Sequence, residues 1–196
     1  MKQYESGRKL NEKIMNGVNK LADAVGATLG PRGRNVIIKG HNTKPLITKD
    51  GVTVAKFVDF DDPFENLGAQ IIKQASEETN TSAGDGTTTS TMLARAILDK
   101  SQSHLVAGIS PIEIKRGIDM AVTSIVEQLK AKAKPVSTKE EIEQIATISA
   151  NGDKGIGALI GNAVDAVGKD GAITIQEAKS NDTSLELSEG FRFDSG

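Results

Sequence analysis

The sequence predicts a mainly α-helical chain with small β elements, and three observations carry that expectation. Apolar residues recur at spacings of three and four through most of the chain, the period of a helix that buries one face. Runs rich in β-branched residues are rare and short. Glycine- and proline-bearing breaks such as TLGPRG and GDG separate the helical segments.

The first helix is expected over about residues 8–26, where Leu10, Ile14, Val18, Leu21 and Val25 form a narrow stripe; Gly30, Pro31 and Gly33 forbid its continuation. VIIK (36–39) and PLIT (45–48) read as short strands around a polar turn. VTVAKFV, after Asp50-Gly51, fits a strand or a short helix by pattern alone. A second long helix is expected over 64–80, with Phe64, Leu67, Ile71 and Ala75 on one face, and a third over about 86–107. Ser110 as N-cap and Pro111 at the first helical position start a fourth, whose stripe is Ile118, Val122, Ile125 and Leu129.

KAKPVSTKEE is a charged, proline-bearing joint and a plausible domain boundary. Ser137 or Thr138 then caps a helix over about 139–148, and Lys154–Val167 forms another. GKDGAITIQEA reads as a helix stop, a turn and a strand, and SLELS as a second strand. EGFRFDSG ends on alternating apolar residues with neither cap nor polar tail, so the chain reads as cut short.

Composition excludes several function classes. The 196 residues carry a net charge of −2 with 26% charged side chains, which argues against a phosphate-neutralising grip on nucleic acid. With 3% aromatics and no Trp, a base-stacking platform is not expected either. The absence of cysteine removes disulfides and thiolate metal sites, and the two histidines, His41 and His104, have no ligand spacing. No signal-like or membrane-length apolar stretch is present in the sequence, so the expectation is a soluble, cytoplasmic protein with no membrane partner.

Three glycine loops stand out: TLGPRG (28–33), TKDG (48–51) and GDGTTT (84–89). Threonine is a poor helix former, because its branched side chain loses rotamer freedom against the preceding turn. A run of threonines opening a helix therefore asks for another reason. Helix starts leave backbone N–H groups unpaired and slightly positive, which suits phosphate, and Gly84 and Gly86 let the backbone approach it. Asp85 suits Mg²⁺ bridging phosphate oxygens, and Thr87, Thr88 and Thr89 add donors. The plainer alternative is an Asp N-cap with threonines on a solvated turn. Taken alone, TLGPRG reads as a helix C-cap followed by a turn, and TKDG as a hairpin turn. Neither the P-loop nor the dinucleotide glycine pattern is matched. Together the loops are parts for nucleotide hydrolysis without a P-loop: a metal carboxylate, a hydroxyl-rich helix start, Lys49, and Asp50 to orient water.

ATLGPRGRNV, ITKDGVTVA, FENLGAQ, AGDGTTT, IKRGIDM, TISAN and GKDGAITI, in this order, closely resemble the group I chaperonins, the bacterial Hsp60 family, over about residues 6–196. The resemblance implies an ATPase subunit of a homo-oligomeric ring that encloses non-native polypeptides with an Hsp10-type co-chaperonin. It implies the first half of an equatorial helical bundle over 1–133, the ascending half of an α+β intermediate domain over 134–188, and the start of an apical domain over 189–196. It makes VTVAKFV a short helix.

The resemblance also assigns roles. Thr28, Leu29, Gly30 and Pro31 match the loop that contacts the nucleotide, Lys49 the lysine near the phosphates where K⁺ is also held, and Asp50 the carboxylate that positions the attacking water. Asp85 matches the Mg²⁺ ligand and Gly86, Thr87, Thr88 and Thr89 the phosphate cradle. Ile148 lies where the intermediate domain approaches the pocket, and Gly190 at the apical hinge. The family chain continues well beyond 196 residues and draws a second catalytic carboxylate from that part. An isolated 196-residue product is therefore expected to hydrolyse ATP poorly or not at all, acting as a nucleotide-binding or ring-association module. An unrelated Mg²⁺-dependent phosphotransferase with Asp50 as base is the remaining alternative.

Overall fold

The computed structural model describes residues 4–39, 44–168, 171–176 and 183–187. It divides into two compact units, Met1–Val126 and Glu127–Gly196. The first contains α1 (Gly7–Gly26), β1 (Val36–Ile38), β2 (Leu46–Thr48), α2 (Gly51–Phe57), α3 (Pro63–Ala83), α4 (Thr87–Val106) and most of α5 (Pro111–Lys132). The second contains α6 (Lys139–Ser149) and α7 (Lys154–Val167). Mostly helical, with two short strands among the described residues, the chain has the predicted class.

The core of the first unit is built on α1. Val18, Leu21, Ala22 and Val25 are fully buried and pack with Val54 and Ala55 of α2 and with Ala69 and Ile72 of α3. α1 and α3 meet through glycine. A Cβ on Gly17 would lie 1.7 Å from the Glu65 carbonyl oxygen, and one on Gly68 would lie 2.0 Å from that of Ile14. Two glycines in helix interiors each cost about 1 kcal/mol of propensity; here they let two backbones approach so that their flanking side chains interlock.

That crossing corrects the face expected of α3. Leu67 and Ile71 are about half exposed, and the buried positions are Gly68, Ala69, Ile72 and Ser76. The close side of a glycine-mediated crossing is made of small residues, which an apolar count passes over. VTVAKFV is helical, and its Val52, Val54 and Ala55 are buried.

Helix starts follow their sequence signals. Asp62 caps α3 by accepting from the N–H groups of Phe64 (2.8 Å) and Glu65 (3.1 Å), with Pro63 behind it. Lys13 pairs with both Glu5 and Asp62. The Lys13 ammonium and the two backbone donors hold the Asp62 carboxyl below its ordinary 3.8. A depressed carboxylate contributes stability above its unfolded pKa and loses that contribution as pH falls through the folded value, so the cap is expected to fail only below about pH 4. Asp62→Ala is expected to lower the urea midpoint at neutral pH and Asp62→Asn to lower it less; equal losses would show that the cap is not the cause.

Ser110 accepts from the Ile112 N–H (3.3 Å) at the start of α5. Of the two residues offered for α6, Thr138 is the cap, in a capping box: its hydroxyl accepts from the Glu141 N–H and the Glu141 carboxylate accepts from the Thr138 N–H. The Ser137 and Thr138 N–H groups hold the Glu141 carboxyl below its ordinary range. α6 and α7 pack through small residues, since a Cβ on Gly157 would lie 2.0 Å from the Thr147 hydroxyl.

β1 and β2 pair antiparallel, with Ile37 opposite Ile47. The two later strands are not seen in what is described of them, because residues 171–176 and 183–187 carry no regular structure. Alternation gives β propensity, whereas a strand exists only through a ladder to a neighbour. Gly190 and residues 189–196, with the hinge and apical readings placed on them, lie outside the described residues, as does His41.

Candidate functional site

The first loop leaves α1 through a tight backbone reversal. Thr28 is buried, and its hydroxyl donates to the Val25 carbonyl (2.8 Å). The Gly33 N–H closes a turn on the Gly30 carbonyl, and the Arg34 N–H returns to that of Ala27. A Cβ on Gly33 would stand 2.1 Å from the Thr28 carbonyl oxygen, so the loop can fold this tightly only with glycine there. Leu29, Gly30 and Pro31 sit exposed at its tip.

The second loop ends in a helix start, not a hairpin. Asp50 is the N-cap of α2; its Oδ2 accepts from the N–H and the hydroxyl of Thr53. The Asp50 N–H donates to the Thr48 hydroxyl. Both cap bonds fall on one carboxylate oxygen. The other, Oδ1, points to no cap donor and retains its acceptor capacity. Lys49 is half-buried beside it in sequence, and Asp50 itself is exposed.

The third loop joins α3 to α4 through two left-handed glycines around one aspartate. Gly84 (φ 73°) ends α3 and Gly86 (φ 82°) starts α4, conformations in which a Cβ is strained. Asp85 Oδ1 accepts from the Gly86 N–H (2.6 Å). α4 has no side-chain cap. Its first intrahelical bond runs from Ser90 to Gly86, so the Thr87, Thr88 and Thr89 N–H groups precede the helical ladder. α2, α3, α6 and α7 each carry a capping side chain at the equivalent place. Thr87 is buried, Thr88 half-buried and Thr89 exposed.

The three loops converge on Thr88. Its hydroxyl lies 3.2 Å from that of Thr28, and a Cβ on Gly51 would stand 2.1 Å from it. One hydroxyl thus touches the end of α1, the start of α2 and the start of α4, placing the sequence-selected loops around one spot. Gly51 was not singled out by sequence reasoning, where it was only the second half of an Asp-Gly turn. Its φ is unexceptional, and the requirement is space. Ile148 is exposed on α6, in the second unit.

This donor set fits a metal-bound polyphosphate: N–H groups that precede the helical ladder and three hydroxyls for phosphate oxygens, a carboxylate on the loop before them, and glycines where close approach is needed. If the site holds a polyphosphate, Gly51→Ala is expected to weaken its binding by about tenfold and to lower the urea midpoint as well, because the new carbon would stand 2.1 Å from the Thr88 hydroxyl and 3.2 Å from its Cβ and backbone nitrogen, and a β-branched side chain has little rotamer freedom to yield. An unchanged affinity would separate Gly51 from the site.

The fold resembles those of solved chaperonins. The chaperonin gp146 from bacteriophage EL 2 (Pseudomonas aeruginosa), crystallised in the presence of ATP-BeFx, is 30% identical with a TM-score of 0.68, over 80% of this chain and 28% of that one. A second crystal form of it gives 29% identity over 82% of this chain. A group III chaperonin in its open state is 22% identical with a TM-score of 0.67, over 81% of this chain and 32% of that one, a likeness of fold. The chain thus spans about a third or less of the length of these proteins. Residues 21–196, nearly the whole sequence, match the TCP-1/cpn60 chaperonin family. This chain belongs to that family.

Proposed function

We propose that the chain is the nucleotide-binding part of a group I chaperonin subunit and that its three converging loops hold Mg-ATP. The observation that carries this reading is the meeting of the Thr28 and Thr88 hydroxyls beside Gly51, at a helix start without a side-chain cap. Chaperonin membership supports the chaperone role, and the phage relative crystallised with ATP-BeFx supports the nucleotide.

In this reading the Thr87, Thr88 and Thr89 N–H groups and hydroxyls receive phosphate oxygens, and Thr28, Leu29, Gly30 and Pro31 line the nucleotide. Asp85 would hold Mg²⁺, and Lys49 would stand near the phosphates and K⁺. Bound Mg-ATP supplies the phosphoryl group to be cleaved. Asp50 orients the water with Oδ1 while Oδ2 stays on Thr53. Within a complete subunit the chain would contribute to a homo-oligomeric ring in the cytoplasm that receives non-native polypeptides and an Hsp10-type co-chaperonin. Turnover and enclosure belong to the whole subunit. Because this chain spans about a third of its relatives' length, the second reading is a module that binds nucleotide without hydrolysing it.

Titrating the chain with ATP by calorimetry tests the proposal. Saturable binding in Mg²⁺ that collapses on chelation supports it; no binding in Mg²⁺ at any accessible concentration removes it.

A further inference from the structure

We propose that Asn151, in the turn between α6 and α7, is a native-state deamidation site that converts to aspartate and isoaspartate with age. The sequence contains two Asn-Gly pairs, Asn16–Gly17 and Asn151–Gly152. This is the pair chemically prone to cyclise, because no side chain on the following residue hinders its backbone nitrogen. The Gly nitrogen attacks the Asn side-chain carbonyl carbon. It gives up its proton, ammonia leaves, and a five-membered succinimide closes. Water then opens the ring at one of its two carbonyls, leaving aspartate or isoaspartate.

The structure treats the two pairs in opposite ways. Asn16–Gly17 lies inside α1, and Gly17 is buried against the Glu65 backbone at the tightest point of the α1–α3 crossing. Its nitrogen cannot swing toward the Asn16 side chain without undoing that crossing, which holds the core of the first unit. Asn151–Gly152 is exposed on both residues, just past the last turn of α6. The Gly152 nitrogen is tied only by its bond to the Thr147 carbonyl (2.8 Å), a helix-end bond of the kind that frays first. Asn151 sits at φ 57°, the one left-handed non-glycine position among the described residues, so leaving that conformation relieves strain.

The products change this turn chemically. A carboxylate at 151 sits just past the carbonyl end of α6 and two residues from Asp153, which caps α7. Isoaspartate also lengthens the main chain by one atom within the bonded turn. Both changes loosen the α6–α7 connection.

The test is peptide mapping by mass spectrometry of the intact chain held in mildly alkaline buffer below its unfolding transition. A parallel sample in denaturant sets the unhindered rate for each pair. The expected result is conversion at Asn151, with isoaspartate detected by an isoaspartyl methyltransferase, while Asn16 stays intact. Asn151 intact over the time in which the denatured sample converts, or equal native-state conversion of both asparagines, overturns the proposal.

Discussion

Gly17→Ala is expected to destabilise the first unit by at least about 2 kcal/mol. Alanine is the better helix former by about 1 kcal/mol, so propensity alone predicts a gain. The added carbon, however, would stand 1.7 Å from the Glu65 carbonyl oxygen, with the Glu65 carbonyl carbon at 2.6 Å. That obstacle is backbone inside α3. It cannot rotate away, so the two helices must separate and loosen the contacts of Val18, Leu21 and Ile72. Overpacking of this kind costs about 1–3 kcal/mol, and more where backbone resists. Gly117→Ala is the matched control. Gly117 is helical and exposed on α5, with no atom within 4 Å of its Cβ position, so the same substitution there is expected to stabilise by up to about 1 kcal/mol. Urea denaturation of both variants checks the pair; a raised midpoint for Gly17→Ala would mean that the helices are not held at this separation.

The same glycines mark what the sequence made legible and what it did not. α1 was readable because its buried residues, Val18, Leu21 and Val25, are large, apolar and regularly spaced. The face of α3 was misread because burial there depends on small residues, and Gly68 and Ser76 carry no hydrophobic signal. The stripe of α5 was readable as a pattern, yet Val122, Ile125 and Leu129 remain 48–61% exposed, since periodicity reports that a face is apolar and not what covers it. VIIK and PLIT form β1 and β2 as read, whereas the two later segments show no ladder in the residues described of them, because pairing is non-local and alternation within one segment names no partner.

At the site, sequence supplied the residues and structure supplied their meeting. Each loop had an adequate plain explanation alone: a helix end, a turn, a cap. What removes the independence of those explanations is that Thr28, Gly51 and Thr88 occupy one place. The convergence was invisible in the sequence because it depends on how α1, α2 and α4 pack. Gly51 shows the point most directly: only the packing shows that its missing side chain is needed.

Asp85→Asn and Asp50→Asn form a pair in which equal chemical changes should have unequal effects on binding. Asparagine at 85 retains an oxygen to accept from the Gly86 N–H, so the two left-handed glycines keep their local bond. Asparagine at 50 likewise retains an acceptor for the Thr53 N–H and hydroxyl, so α2 keeps its cap. What each substitution removes is one negative charge. If Asp85 holds Mg²⁺, its loss weakens Mg-ATP binding about 10- to 100-fold, or roughly 1.4–2.7 kcal/mol, and leaves the weaker metal-free binding unchanged. Asp50 does not need its charge for binding if its task is to orient water. Asp50→Asn is therefore expected to bind Mg-ATP as the parent chain does, and in a subunit that turns over ATP to slow hydrolysis by about 10²-fold or more. Calorimetry in Mg²⁺ and in chelator distinguishes the two roles. Equal weakening by both variants would mean that the site responds to net charge, and the division into a metal ligand and a water-orienting group would be lost. Weakening by Asp50→Asn alone would exchange the two assignments, with the metal on the cap of α2 and the loop between Gly84 and Gly86 left as a turn.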